Sequence, residues 1–185
     1  MTPRLLVAGV GNIFLGDDGF GVAVAQRLLA DAFPGPVRVA DFGIRGVHLA
    51  YELLNGYDSF ILIDATPRGS APGTVYVIEP DLDGAAPVAA NGAPSPAVDA
   101  HSLDPAAVFA MVKALGGEIK RVLIVGCEPA TVAEGIGLSD PVAGAVDEAV
   151  KVVRELIAVE LAVEMVAAGV GGGHRTDTGN QEERR

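Results

Sequence analysis

Cysteine is nearly absent from this chain: of 185 residues only Cys127 carries a thiol. No disulfide framework can form within it, and a reducing compartment fits that usage. Long apolar runs are missing as well. Leu5 to Val10 is the first apolar stretch, and glycines and aspartates follow at once. That is too short for a signal-peptide core or a membrane span, so the expectation is a soluble, cytoplasmic protein. Positive charge is in deficit, with 13 Lys and Arg against 24 Asp and Glu, a formal net charge of -11. Such a balance repels phosphate backbones and argues against a nucleic-acid partner. Several catalytic signatures are missing too. There is no G-x-x-x-x-G-K-[ST], no H-E-x-x-H and no G-x-S-x-G.

What remains is an ordinary globular composition, 50% apolar and 20% charged. A chain of 185 residues suits one domain that buries about two thirds of its unfolded surface. Apolar runs and helical periods alternate along it. Leu5 to Ala8 reads as a buried strand and Gly19 to Ala32 as a helix ended by Pro34-Gly35-Pro36. Val37 to Ala40 reads as a strand closing at Asp41, Val47 to Leu54 as a short helix, and Phe60 to Ile63 as a strand closing at Asp64. Thr74 to Ile78 follows too soon for a parallel crossover and should return antiparallel. Asp104-Pro105 starts a helix to about Leu115, Arg121 to Val125 is the last strand, and a long helix opens at Ser139, Asp140 and Pro141. The pattern predicts an α/β three-layer sandwich: a mostly parallel twisted sheet of about five strands, one of them antiparallel, with helices on both faces. One domain should span residues 1–168. The tail, 169–185, is Gly-rich and then polar, and is expected to be disordered. Residues 80–102 form a long Ala/Pro/Gly-rich loop, the length that usually goes with function or mobility.

Ligands of open α/β sheets bind outside the carboxyl ends of the strands. Asp17 and Asp18 follow the first strand, Asp41 closes the second and Asp64 the third. A single acid at a strand end is an ordinary cap; the same residue type at three consecutive strand ends suggests a site. Of the three histidines, His174 lies in the tail and His48 in a short helix. His101, at the end of the long loop, is the candidate neighbour for the acids. One imidazole and two carboxylates would suit Ni, Zn, Mn or Fe alike, and three ligands leave positions open for substrate. Gly9-Val10-Gly11 begins like a dinucleotide fingerprint, but Phe14 stands where the third glycine belongs, and the acid pair would repel a phosphate. Cys127 follows a strand, yet no motif supports a nucleophile there, and it reads as structural.

The segment Gly9-Val10-Gly11-Asn12-Ile13-Phe14-Leu15-Gly16-Asp17-Asp18-Gly19-Phe20-Gly21 resembles the N-terminal signature of the hydrogenase maturation endopeptidases. Further elements are similar to that family in order: Asp41-Phe42-Gly43-Ile44-Arg45-Gly46, Ile63-Asp64-Ala65, Ala71-Pro72-Gly73-Thr74, Ala100-His101-Ser102-Leu103, Pro129, and Gly135-Ile136-Gly137-Leu138-Ser139. The resemblance runs from about Arg4 to Ile157. It implies an endopeptidase, grouped with the aspartic-type enzymes. Such an enzyme trims the C-terminal extension from the nickel-loaded precursor of a nickel–iron hydrogenase large subunit. It also implies that Asp18, Asp64 and His101 engage nickel carried by that substrate, and that Asp41 has a further acidic role, as general base or orienting group. Asp17 is expected to be a neighbour, not a ligand. A monomer is expected. The loop 81–99 matches no fixed pattern and is a candidate for shaping substrate choice. Two other readings stay open on the residues alone: a nucleotide-binding regulatory module, and a peptidyl-tRNA hydrolase-like enzyme, which would need the basic surface this chain lacks.

Overall fold

The computed structural model describes residues 4–80 and 105–170, with side chains up to residue 163. Three runs of β-branched and aliphatic residues form the centre of one sheet: β1 (Leu5–Val10), β3 (Ser59–Ala65) and β5 (Val122–Cys127). β1 and the first five residues of β3 are buried throughout, as strands covered on both faces must be. β2 (Val37–Gly43) and β4 (Val75–Ile78) are the edges, and they alternate or are only half-buried. The order is β2-β1-β3-β5-β4. All pairs are parallel except β4 with β5. The expected antiparallel return is therefore present, but its partner is β5. The chain leaves β3, lays down the edge strand, and only later inserts β5 between the two.

Side-chain alternation divides the core. Leu5, Val7, Ile61, Ile63 and Val125 face α1 (Phe20–Leu28) and α4 (Asp140–Val170). Leu6, Ala8, Val10, Phe60 and Leu62 face α2 (Gly46–Leu53) and α3 (Pro105–Ala114). The predicted stripe on α4 is in place, with Val142, Val146, Val150, Val153 and Ile157 all buried. Two boundaries differ from expectation. α1 stops at Leu28 instead of Ala32, because Ala30 and Asp31 close tighter i→i−3 bonds onto Arg27 and Leu28. The Asp31 carboxylate is then held by Arg154 of α4 at 2.8 Å. β2 runs past Asp41 to Gly43, with a register shift where Gly9 pairs Asp41 and Val10 pairs Gly43. The C-terminal boundary sits inside α4, whose backbone continues to Val170. The disorder expected of the tail concerns residues outside the description.

β1 is flanked by β2 on one side and β3 on the other, so the strand order reverses at β1 and β3. A crevice opens at such a switch point because the connections leave to opposite faces. Glycines let the elements around it approach closely. A Cβ on Gly9 would stand 2.2 Å from the Gly21 carbonyl oxygen, and one on Gly21 would stand 2.1 Å from that of Ile63. The start of α1 is thereby seated directly on the carboxyl ends of β1 and β3.

Candidate functional site

Between β1 and α1 the chain makes a 3-10 turn, Gly16–Gly19, that carries both acids of the pair. They do opposite things. Asp17 points inward and is fully buried. Its carboxylate accepts the backbone N–H groups of Ala130, Thr131 and Ser139 at 2.8, 3.1 and 2.7 Å, and the Ser139 hydroxyl at 2.9 Å. Burial alone would raise its carboxyl; the donors of Ser139, Thr131 and Ala130 outweigh that and hold it below the usual carboxylate range. Asp17 is thus a clamp joining the first loop to the entry of α4. The same two loops are laced by Gly16 N–H to Gly135 oxygen at 3.0 Å and Gly135 N–H to Phe14 oxygen at 2.9 Å.

Asp18 turns the other way and is half-buried. Its Oδ2 accepts the Asn12 N–H at 2.6 Å, which fixes the carboxylate over the end of β1. Gly11, with φ +124°, makes room: a Cβ there would lie 1.8 Å from the Asp18 carbonyl oxygen. Asp64, near the end of β3, follows Ile63, the register partner of Gly9. Its partner on β5 is Gly126, which sets no side chain beside it. Burial first, then the charge of Asp18, hold the Asp64 carboxyl well above the usual carboxylate range, with only the Ala65 N–H pulling the other way. Asp18 and Asp64 are therefore brought together at the switch point as two like charges, and neither forms an ion pair among the described residues.

Asp41 is not part of that pair. Alternation along β2 sets it on the α1 face with Val37 and Val39, whereas Asp64 shares the opposite face with Leu62. The Asp41 Oδ2 accepts Gln26 Nε2 of α1 at 3.4 Å, and its carbonyl oxygen accepts the Arg45 guanidinium. His101, the loop 81–99 and His174 lie outside the described residues. Among the described residues no three His, Cys, Asp or Glu side chains converge as a metal centre. His48 is exposed. Cys127 is a buried free thiol, pushed up to about 11 by burial and then by the charges of Asp17 and Glu128, as the structural reading requires.

One acid at this edge escaped notice in the sequence. Glu128, one residue past β5, is buried and accepts the N–H groups of Arg68 and Gly69 at 2.7 and 3.1 Å and the Tyr76 hydroxyl at 2.7 Å. The Tyr76 hydroxyl is the main influence holding its carboxyl below the ordinary glutamate range. It pins the turn between β3 and β4. Its position at a strand end was the same signal that singled out Asp41 and Asp64. Around the acids, apolar side chains stand in solvent, most notably Phe14 at 61% and Ile136 at 82% exposure, on the two laced loops.

A family model described as hydrogenase maturation protease matches residues 22–156. The Escherichia coli hydrogenase 2 maturation protease is 31% identical over 150 residues, covering 80% of this chain and 87% of that one. The hydrogenase expression/formation protein HupD of Rhodobacter capsulatus is 33% identical over 156 residues, covering 83% and 71%. The solved structure of the E. coli hydrogenase maturating endopeptidase HybD superposes with a TM-score of 0.68 at 27% identity, covering 85% of this chain and 93% of that one.

Proposed function

The chain belongs to the hydrogenase maturation protease family and is a peptidase, and on that premise we propose that it removes the C-terminal extension from the nickel-loaded precursor of a nickel–iron hydrogenase large subunit. Asp18 and Asp64 engage the nickel that the precursor carries, with His101 as the third ligand. The supporting observation is the acid pair at the switch point, two neighbouring carboxyl groups with no ion pair among the described residues. Ionising Asp64 beside Asp18 costs free energy, since burial and the charge of Asp18 each favour a proton on Asp64. A divalent cation arriving with the substrate removes that cost, so the pair binds loaded precursor better than empty precursor. Two carboxylate oxygens and an imidazole nitrogen are acceptable donors for Ni²⁺. The bound ion fixes the peptide's position and polarises a nearby carbonyl.

Asp41 lies across the sheet edge from the pair, on the α1 face with Gln26. That placement supports an orienting role toward the substrate backbone over that of the water-activating base. The nucleotide-binding reading is disfavoured at the same crevice, where two carboxylates would face a pyrophosphate.

The test is processing of a nickel-loaded precursor, followed as a mobility shift on a gel. Wild-type protein should cleave loaded and spare nickel-free precursor. Asp18→Asn and His101→Ala should each slow cleavage about 100-fold or more while keeping a wild-type circular dichroism spectrum. Wild-type rates from His101→Ala would sink the ligand assignment.

A further inference from the structure

Peptide hydrolysis makes a demand that the acid pair cannot meet. The water oxygen adds to the carbonyl carbon, and the π electrons move onto the carbonyl oxygen. That oxygen stays negative until the C–N bond breaks and a proton from the added water reaches the departing amine. Ionised Asp18 and Asp64 offer only acceptors, so the new charge would develop beside groups that repel it. A donor is needed at this edge. Four polar side chains there are already spent: Arg45 on the carbonyls of Phe42 and Asp41, the Gln26 amide on Asp41, the Ser139 hydroxyl on Asp17 and the Tyr76 hydroxyl on Glu128.

Asn12 is not spent. It stands just past β1, and its backbone N–H is the donor that fixes the Asp18 carboxylate at 2.6 Å. Its side-chain Oδ1 accepts the Phe14 N–H at 3.0 Å, an Asx turn that commits the oxygen to the loop and leaves Nδ2 as the free arm. The turn itself is held. The Asn12 carbonyl accepts the Leu15 N–H at 3.0 Å, and Gly19 lets Ile13 close in, since a Cβ on Gly19 would lie 3.2 Å from the Ile13 Cα. Nδ2 has no partner among the described residues. No buried side-chain nitrogen among those residues lacks a hydrogen bond, so Nδ2 reaches solvent.

From this we infer that the Asn12 carboxamide is the oxyanion donor of the reaction: Nδ2 hydrogen-bonds the scissile carbonyl oxygen as it gains charge. The inference rests on the proposed function only in placing a peptide carbonyl beside Asp18 and Asp64. A neutral amide suits the place better than a cation. Lysine or arginine there would pair with the two acids and take the seat of the ion that the substrate brings. An amide leaves the charge of the acids untouched and still donates.

Asn12→Ser keeps an oxygen for the Phe14 N–H but shortens the side chain, so no donor reaches the carbonyl. On nickel-loaded precursor its kcat should fall about 100-fold while KM stays within about twofold, because the donor acts on charge that appears only in the transition state. Asn12→Asp keeps length and turn, has no donor and adds a charge, so its kcat should fall at least as far. In crystal structures of both variants the oxygen at position 12 should still accept the Phe14 N–H. Wild-type kcat in either variant overturns the donor. So does a loss confined to KM, or a loss accompanied by a broken turn. The nickel reading is judged by a different ratio, loaded against empty precursor cut by wild-type protein. A value near one fails that reading and leaves the donor to the variant rates on whichever form is cut. Wild-type protein that cuts neither form overturns both.

Discussion

The two edges of the sheet treat carboxylates in opposite ways. At the amino edge acids meet cations: Glu160 accepts Arg121 Nε at 2.9 Å, Asp58 lies 2.7 Å from Lys120 Nζ, and Glu52 lies 3.2 Å from Arg38 Nε. At the carboxyl edge Asp17, Asp18 and Glu128 are held by N–H and O–H donors, which carry no charge, and Asp64 only by its neighbouring N–H. The amino edge is electrically settled. The carboxyl edge leaves Asp17, Asp18, Asp64 and Glu128 without an ion pair among the described residues. Even within one turn the contrast repeats, with Asp17 satisfied by four donors and Asp18 by one.

The largest effect should come from breaking the clamp. Asp17→Ala removes a fully buried carboxylate and with it the acceptor of three half-buried N–H groups and a hydroxyl, and should cost about 3 kcal/mol of unfolding free energy in a urea titration. The folded carboxyl lies below its unfolded value, so this support is present at neutral pH. It should be lost as pH falls below the ordinary value of 3.8, when the native state must take up the proton. Glu160→Gln, at the other edge, should cost about 2 kcal/mol, since Arg121 is half in water and loses only part of its pairing. Its processing rate should not change, because it stands far from the switch point. A rate loss there would mean the two edges are not separable.

Asp64→Asn should do the reverse of both. It removes a charge that burial and Asp18 disfavour, and should raise stability by about 1 kcal/mol near pH 7 while abolishing cleavage. The sign follows from a raised folded pKa: the native carboxylate costs stability above the unfolded value, and the gain should vanish in melts at or below pH 3.8. The smallest effect concerns Cys127. Buried and pushed up to about 11, its thiol should react with iodoacetamide at pH 8 only as fast as the protein unfolds, read by mass spectrometry.

Much of this was legible in the residues. The buried strands, the α4 stripe and the antiparallel edge strand followed from apolar periodicity and connection length. Asp18 and Asp64 followed from being acids at strand ends. Strand order did not follow, because insertion of β5 between β3 and β4 is a long-range pairing that no local signal encodes. The split between Asp17 and Asp18 was equally hidden, since adjacent residues on a 3-10 turn face different partners and the donors for Asp17 come from residues 130–139. Asp41 shares the strand-end signal and was read as a further acid apart from the ligands; strand alternation sets it on the other face. Glu160 left a trace that is readable, an acid three residues beyond Ile157 on a core stripe, where a buried carboxylate needs donors; Arg121 and Ser59 supply them.

The Asp17 clamp also says something about assembly. Its bonds join positions 113 to 122 residues apart in the chain. Closing so long a loop is entropically slow and is rewarded only when both ends are already in place. A ribosome-bound chain that has not yet released Ser139 therefore lacks the clamp that ties the first loop to the entry of α4.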